Sequence, residues 1–351
     1  MEASQPLQPA LSAGPFGARP PGRVRGRFAP SPTGYVHLGN AWSFLCAWLG
    51  VRSSQGELIL RIEDVDIIRS RPEYALSLQE DMRWLGLDWD YGPDSPLRPD
   101  LGSCLQRQRL EYYASCVRHL ETLGLVYPCF CSRRDLRSIA SAPQAGEGAG
   151  DWNYPGTCWS LPEEERARRM ARGDRFALRL RFEDQRDRYL DLEDLCQGHR
   201  RLTLGEAGGD FALRRSDGVY AYQLAVVMDD IAMGVNQVVR GLDIVESTPR
   251  QAFLYACFGA EPPCYAHVPL VLDHEGCRLA KRHGAISLRS LREGGVRPEV
   301  IVGYLAWWGG LRDRFEPCAP RDLLEGFSFG RIRREAPWLP GDIGEILRGK
   351  K

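Results

Sequence analysis

From about residue 23 onward the chain alternates between short apolar runs and longer stretches in which apolar positions recur every three or four residues. Residues 57–63, carrying Leu58, Ile59, Leu60 and Ile62, are a run of the first kind and predict a strand, and residues 25–29 read as another short strand. Residues 41–51, with Trp42, Leu45, Trp48 and Leu49, and residues 72–85, opened by Pro72, predict helices. The turn formers at 30–34 separate the first strand from the first helix. Strand, helix, strand, helix implies an α/β fold with a Rossmann-type parallel sheet, whose chemistry collects at the carboxyl ends of the strands.

The alternation then breaks. Residues 105–123 predict a long helix, 126–131 and 176–182 predict strands, and 138–150 between them is irregular and rich in Gly, Ala and Ser. Residues 90–205 therefore read as an α+β subdomain inserted into the parallel-sheet domain. The α/β pattern resumes over 211–213, 221–228 and 237–240, and continues with a helix over 248–258 begun by Thr248-Pro249. A strand over 268–272 and a helix over 298–308 follow. The expected division is a mobile tail over 1–22, a parallel-sheet domain over 23–89 and 206–290, the insertion over 90–205, and a short helical region over 291–351.

Composition narrows the class. With 351 residues, 43% apolar and 26% charged, the chain has room for a sizeable core and is neither disordered nor a small disulfide scaffold. It carries no apolar run of about 18 residues and no N-terminal leader pattern, so a cytoplasmic protein with no membrane partner is expected, and a monomer. The 46 basic and 46 acidic residues cancel, which by itself argues against nucleic acid. The charge is unevenly spread, however: 57–100 is acidic, whereas 166–188 holds nine Arg against four acids. That basic stretch is either a phosphate track or a solvated face. Of the basic residues 43 are Arg, which leaves Lys281 as the one lysine before Lys350 and Lys351. Most of the cysteines are isolated and read as packing residues; only Cys129, Cys131 and Cys158 form a group of chemical weight.

The first chemical constellation runs from Arg27 through Pro30, Ser31 and Gly34 to His37, Gly39 and Asn40, at a strand-to-helix junction. A helix N-terminus offers unpaired N–H groups and partial positive charge, so phosphates are stable there, and His37 can donate to their oxygens. Gly39 lets a flat base approach the backbone. This string closely resembles the first catalytic motif of class I aminoacyl-tRNA synthetases in its glutamyl and glutaminyl form. The resemblance extends through Arg61-Ile62-Glu63-Asp64, the segment from Ala221 and Tyr222 to Asp229-Asp230, and Val239-Arg240-Gly241-Leu242-Asp243, covering roughly 25–290.

The resemblance implies a glutamate pocket made by Arg27, Ser31, Glu63, Tyr222 and Arg240, with Phe28, Ala29 and Pro30 counted alongside them. The chemistry agrees, because two carboxylates and one ammonium ask for two cations and one anion: Arg27 and Arg240 can each fork onto a carboxylate, and Glu63 can take the ammonium. It also implies ATP, with Mg²⁺, at His37, Gly39, Asn40 and Lys281, of which His37, Asn40 and Lys281 are the catalytic set. Lys281 lies in Arg278-Leu279-Ala280-Lys281-Arg282, where the family carries Lys-Met-Ser-Lys-Ser. Arg278, Ala280 and Arg282 depart from that pattern, but the second lysine is kept, and its ammonium would stabilise charge on the departing pyrophosphate.

Cys129-Phe130-Cys131 and a distant Cys158 supply three of about four tetrahedral zinc ligands. In glutamyl-queuosine tRNA(Asp) synthetases, truncated relatives of glutamyl-tRNA synthetase, the corresponding insertion carries Cys-x-Cys followed by Tyr-x-x-x-Cys as a zinc site, and Tyr154 stands at the matching spacing here. Length points to that branch too, since 70 residues after Lys281 leave no room for a helical anticodon-binding region. So does Val226, where the full synthetases usually have Asn. The activity this resemblance implies is ATP-dependent formation of glutamyl-adenylate and transfer of glutamate to queuosine at the wobble position of tRNA(Asp). A short glutamyl-tRNA synthetase charging tRNA(Glu) and a non-catalytic synthetase-like protein that binds RNA or an amino acid are the alternatives.

Overall fold

The computed structural model describes residues 22–132, 134–136, 154, 156–182, 188–205, 207–277, 279 and 287–349. In chain order the strands are β1 (Arg25–Phe28), β2 (Glu57–Leu60), β3 (Val126–Cys129), β4 (Ala177–Leu180), β5 (Tyr189–Asp194), β6 (Gly198–Thr203), β7 (Phe211–Arg214), β8 (Gln237–Gly241) and β9 (Cys264–Val268). The α-helices are α1 (Leu38–Arg52), α2 (Pro72–Trp84), α3 (Leu110–Thr122), α4 (Glu163–Ala171), α5 (Tyr222–Ala232), α6 (Thr248–Cys257), α7 (Leu288–Glu293), α8 (Pro298–Trp308) and α9 (Ile343–Leu347).

β2, β1, β8 and β9 form one parallel sheet in that order. Its strands are buried along nearly their whole length, and Leu58, Ile59 and Leu60 of β2 form the continuous apolar run that such burial favours. Successive side chains alternate between faces. Phe28, Leu58, Leu60, Val239, Ala266 and Val268 join α1 in one core, while Ile59, Val238 and Tyr265 join α5 and α6 in another. On the side of α1, Trp42 meets Trp308 of α8 edge to face at 5.4 Å, which ties the C-terminal region to the sheet.

The insertion builds its own antiparallel sheet, β3-β4-β7, and a two-stranded β5–β6 hairpin. β7 was expected to resume the parallel sheet and instead pairs with β4. Its burial explains the difference: Phe211 and Leu213 are buried while Ala212 and Arg214 are half-buried, the one-sided pattern of an antiparallel strand. The strand expected at 268–272 lies at Cys264–Val268, because Pro269 has no N–H to continue the ladder. Helix α1 begins three residues earlier than expected, at Leu38, and the expected helix over 105–123 is a short 3₁₀ turn (Gln106–Gln108) followed by α3. The tail at 1–21 and Lys281, with Arg278, Ala280 and Arg282, lie outside the described residues. Among the described residues no helix is long and apolar enough to cross a membrane.

Candidate active site

Strand parity gathers the charges. Arg27 is the register partner of Ile59, and Arg61 and Glu63 follow Ile59 at two-residue steps. Arg240 is the partner of His267 on the adjacent strand, two residues after the Val238–Tyr265 pair. Arg27, Arg61, Glu63, Arg240 and His267 therefore share one face of the sheet, and all are buried. Phe28, counted with the pocket on resemblance, points to the other face, where it packs against Phe44 at 5.5 Å.

Helix α5 supplies the counter-charge. Asp229 and Asp230 stand in its last turns, where the helix dipole disfavours anions, so they require cationic partners. Asp230 accepts from Arg61 Nη1 at 2.6 Å and lies 3.5 Å from Arg27 Nε. Asp229 accepts from Arg109 at 2.6 Å, Gln106 at 2.8 Å and the Tyr113 hydroxyl at 2.8 Å. Arg61 also donates to Glu63 at 3.0 Å. Burial raises the Glu63 carboxyl above its usual range, while Arg61 and Arg27 oppose that shift. Arg27 donates to the Val239 carbonyl at 3.2 Å, and its buried Nε has no hydrogen-bond partner among the described residues.

Arg240 sits in a cradle of neutral acceptors. Its Nε donates to His267 Nε2 at 2.9 Å, Nη1 to Gln251 Oε1 at 2.5 Å and Nη2 to Thr248 Oγ1 at 2.8 Å, over the Tyr265 ring. Gln251 in turn donates to Gln223, and Gln223 to Ser247. Tyr222, the first residue of α5, is 40% exposed. Its phenol is nevertheless raised, first by burial and then by the Glu63 charge, with Arg240 and Arg27 opposing.

The loop after β1 leads from Ala29, Pro30 and the exposed Ser31 to His37, the N-cap of α1. The main-chain N–H of Glu63 donates to the Pro30 carbonyl at 2.9 Å, which fixes this loop to the charged row. The Gly39 N–H donates to His37 Nδ1 at 3.2 Å, so the ring proton sits on Nε2. The His37 N–H donates to Asn40 Oδ1 at 3.3 Å and completes a reciprocal cap. Just after the undescribed residues that include Lys281, Ser287 bridges to His37 and the Leu288 N–H donates to the Val36 carbonyl at 2.8 Å. The chain thus re-enters the described structure against the backbone of His37.

A second cluster lies in the insertion. The sulfurs of Cys129, Cys131 and Cys158 fall within 4.8 Å of one another. The Tyr154 hydroxyl lies 3.4 Å from Cys129 Sγ and 3.5 Å from Cys131 Sγ, and Cys131 and Cys158 are 3.6 Å apart at sulfur. With Zn–S near 2.3 Å and Zn–O near 2.0 Å, a tetrahedron has edges of about 3.5–3.8 Å, which these separations match.

Sequence reasoning did not assign Arg61, Arg109, Asp230, Thr248, Gln251, His267 or Asp194 to the site. The signal available was a polar residue inside an otherwise apolar strand, as with Arg240 in β8 and His267 in β9. Thr248, the first residue of α6, accepts from Arg240 through its hydroxyl.

A parallel sheet bearing this charged row and a His-capped helix at the adjoining loop defines a class I aminoacyl-tRNA synthetase catalytic core. The chain belongs to the family described as tRNA synthetases class I (E and Q), catalytic domain, which it matches over residues 23–319. It is 49% identical over 325 residues to the glutamyl-Q tRNA(Asp) synthetase of Nitratidesulfovibrio vulgaris, covering 93% of this chain and 98% of that one. To the protein of the same name from Symbiobacterium thermophilum it is 47% identical, covering 92% and 98%. The crystal structure of a glutamate tRNA ligase from Elizabethkingia meningosepticum, in complex with its amino acid, superposes with a TM-score of 0.78 at 26% identity, over 94% of this chain and 69% of that one.

Proposed function

We propose that this protein activates L-glutamate with ATP and transfers the glutamyl group to queuosine at the wobble position of tRNA(Asp). The observation that carries the reading is the match along 98% of the length of two proteins named for that activity. The charged row supports the amino acid: Arg27 and Arg240 take the two carboxylates, Glu63 takes the ammonium, and Tyr222 and Ser31 orient it. In the first step a glutamate carboxylate oxygen attacks the α-phosphorus of ATP and pyrophosphate leaves. His37, Gly39 and Asn40 hold the nucleotide at the α1 N-terminus with Mg²⁺, and Lys281 neutralises the leaving group. In the second step a hydroxyl of the queuosine cyclopentene-diol attacks the mixed anhydride and AMP leaves.

Cys129, Cys131, Tyr154 and Cys158 would hold a zinc ion that pins the insertion beside its β3-β4-β7 sheet; all four positions are filled by protein, so the role is structural. The protein is read as a cytoplasmic monomer. The test is incubation with radiolabelled glutamate, ATP and either queuosine-containing tRNA(Asp), queuosine-free tRNA(Asp) or tRNA(Glu). Label on queuosine-containing tRNA(Asp) alone is expected. Label on tRNA(Glu) alone identifies a short glutamyl-tRNA synthetase, and absence of ATP–pyrophosphate exchange with glutamate identifies a non-catalytic relative.

A further inference from the structure

Of the three side chains that hold Arg240, one is itself held by the insertion. His267 Nδ1 lies 2.5 Å from Asp194 Oδ2, and both side chains are fully buried. Asp194 ends β5 and organises the turn into β6: its Oδ1 accepts from the main-chain N–H of Cys196 at 2.9 Å and of Gln197 at 2.8 Å. Both of its oxygens also lie 3.1 Å from the His267 N–H. Donor counting decides the tautomer. Arg240 Nε has only a hydrogen to offer, so His267 Nε2 must present its lone pair and the ring proton must sit on Nδ1, directed at Asp194. Burial pushes the imidazole down to about 4; Asp194 opposes this and Arg240 assists it, so the ring is neutral at physiological pH.

We propose that Asp194 and His267 are positioning residues for glutamate selection: the carboxylate of the β5–β6 turn fixes the imidazole tautomer, and the imidazole fixes the plane of the Arg240 guanidinium. Of the five N–H groups of a guanidinium, three are taken here, by His267, Gln251 and Thr248, and two are left for a substrate carboxylate. Their direction is set by the plane, and the Tyr265 ring 4.7 Å away prevents the plane from tilting. A carboxylate gripped by a fork is sensitive to that angle, whereas ATP binding at the α1 N-terminus is not. The inserted hairpin thereby becomes part of the glutamate site without touching glutamate. The inference rests on the reading of Arg240 as a glutamate-binding residue.

ATP–pyrophosphate exchange on the full chain, with KM determined separately for glutamate and ATP, tests it. Asp194→Asn keeps an acceptor oxygen for the turn, but its amide donates to His267 Nδ1. The ring proton must then move to Nε2, where it confronts the Arg240 N–H. The expected result is a rise of about tenfold or more in glutamate KM, with ATP KM within about twofold of the parent. His267→Gln with Asp194 kept presents Oε1 to Arg240 and an amide N–H to Asp194, and should hold glutamate KM within about threefold of the parent, a tolerance that general loosening of the fold does not produce. His267→Leu, which removes the acceptor while leaving the turn carboxylate in place, carries the same expectation as Asp194→Asn, so poor folding of one variant leaves the other decisive. An unchanged glutamate KM in the folded variants, or a parallel rise for glutamate and ATP, overturns the proposal. Arg240→Lys separates the two levels: if it leaves glutamate KM unaltered, the reading of Arg240 fails; if it raises KM while Asp194→Asn does not, only the positioning role fails.

Discussion

Arg61 and Asp230 meet at 2.6 Å in the interior, the arginine fully buried between the sheet and α5. The same guanidinium reaches Glu63 at 3.0 Å and lies 3.7 Å from Asp229, so one cation holds three carboxylates. Replacing Arg61 by Met leaves those carboxylates partly uncompensated at low dielectric. The variant should lose about 3–5 kcal/mol of stability, read as a shift of the urea unfolding midpoint. A loss under about 1 kcal/mol would show that the cluster is wetter than its burial implies.

Gly39 lies under the His37 ring. A β-carbon there would come 3.1 Å from Cε1 and 3.2 Å from Nδ1 of the imidazole, so Gly39→Ala must push the ring aside and lengthen the cap. Exchange activity should fall about tenfold while thermal stability stays within about 2 °C of the parent. Full activity with alanine would mean that the position of His37 is not critical.

Lys281→Ala should abolish ATP–pyrophosphate exchange and leave glutamate binding, followed by calorimetry, unchanged. The charge it is expected to neutralise develops only as pyrophosphate departs. Loss of glutamate binding would place the lysine elsewhere in the cycle.

Metal analysis of the purified protein should find about one zinc per chain, lost in Cys158→Ser or on treatment with a chelator at low pH. Limited proteolysis should then cut within the insertion, whereas adenylate formation persists, because the ligands lie apart from the charged row. A zinc-free protein of undiminished stability would remove the metal from the account.

Asp81 on α2 is fully buried, 3.4 Å from Arg292 on α7, and burial pushes its carboxyl up to about 6 although Arg292 pulls it down. The folded state therefore holds this proton more tightly than the unfolded chain. The stability it contributes is complete below about pH 4 and is lost as pH climbs through about 6. Asp81→Asn should raise stability at pH 7 by about 2 kcal/mol and flatten that part of the stability profile. A variant less stable than the parent at pH 7 would show that the Arg292 pair outweighs desolvation.

Local chemistry was readable along the chain wherever it depends on neighbours in sequence. The strand and helix around the first motif, Pro72 at the start of α2 and the helix over Pro298–Trp308 all follow from short-range spacing and backbone constraints. The cysteine group likewise announced itself by spacing, and its sulfurs do converge. β7 was misplaced because a four-residue apolar strand looks alike in a parallel and an antiparallel sheet, and only its partner tells them apart.

Residue types and spacings thus determine several of the strands and helices, which family the chain resembles, and which side chains have the chemistry to bind glutamate, nucleotide and metal. The fold decides which of 43 arginines become buried partners of carboxylates and which remain solvated. Strand parity puts Arg27, Arg61, Arg240 and His267 on one face, the crossing of α5 brings Asp229 and Asp230 against them, and the inserted hairpin delivers Asp194 across 73 residues of chain to the imidazole behind Arg240. No local pattern encodes those encounters, because an ion pair in the interior is set by where two distant backbones pass and by how little water is left between them.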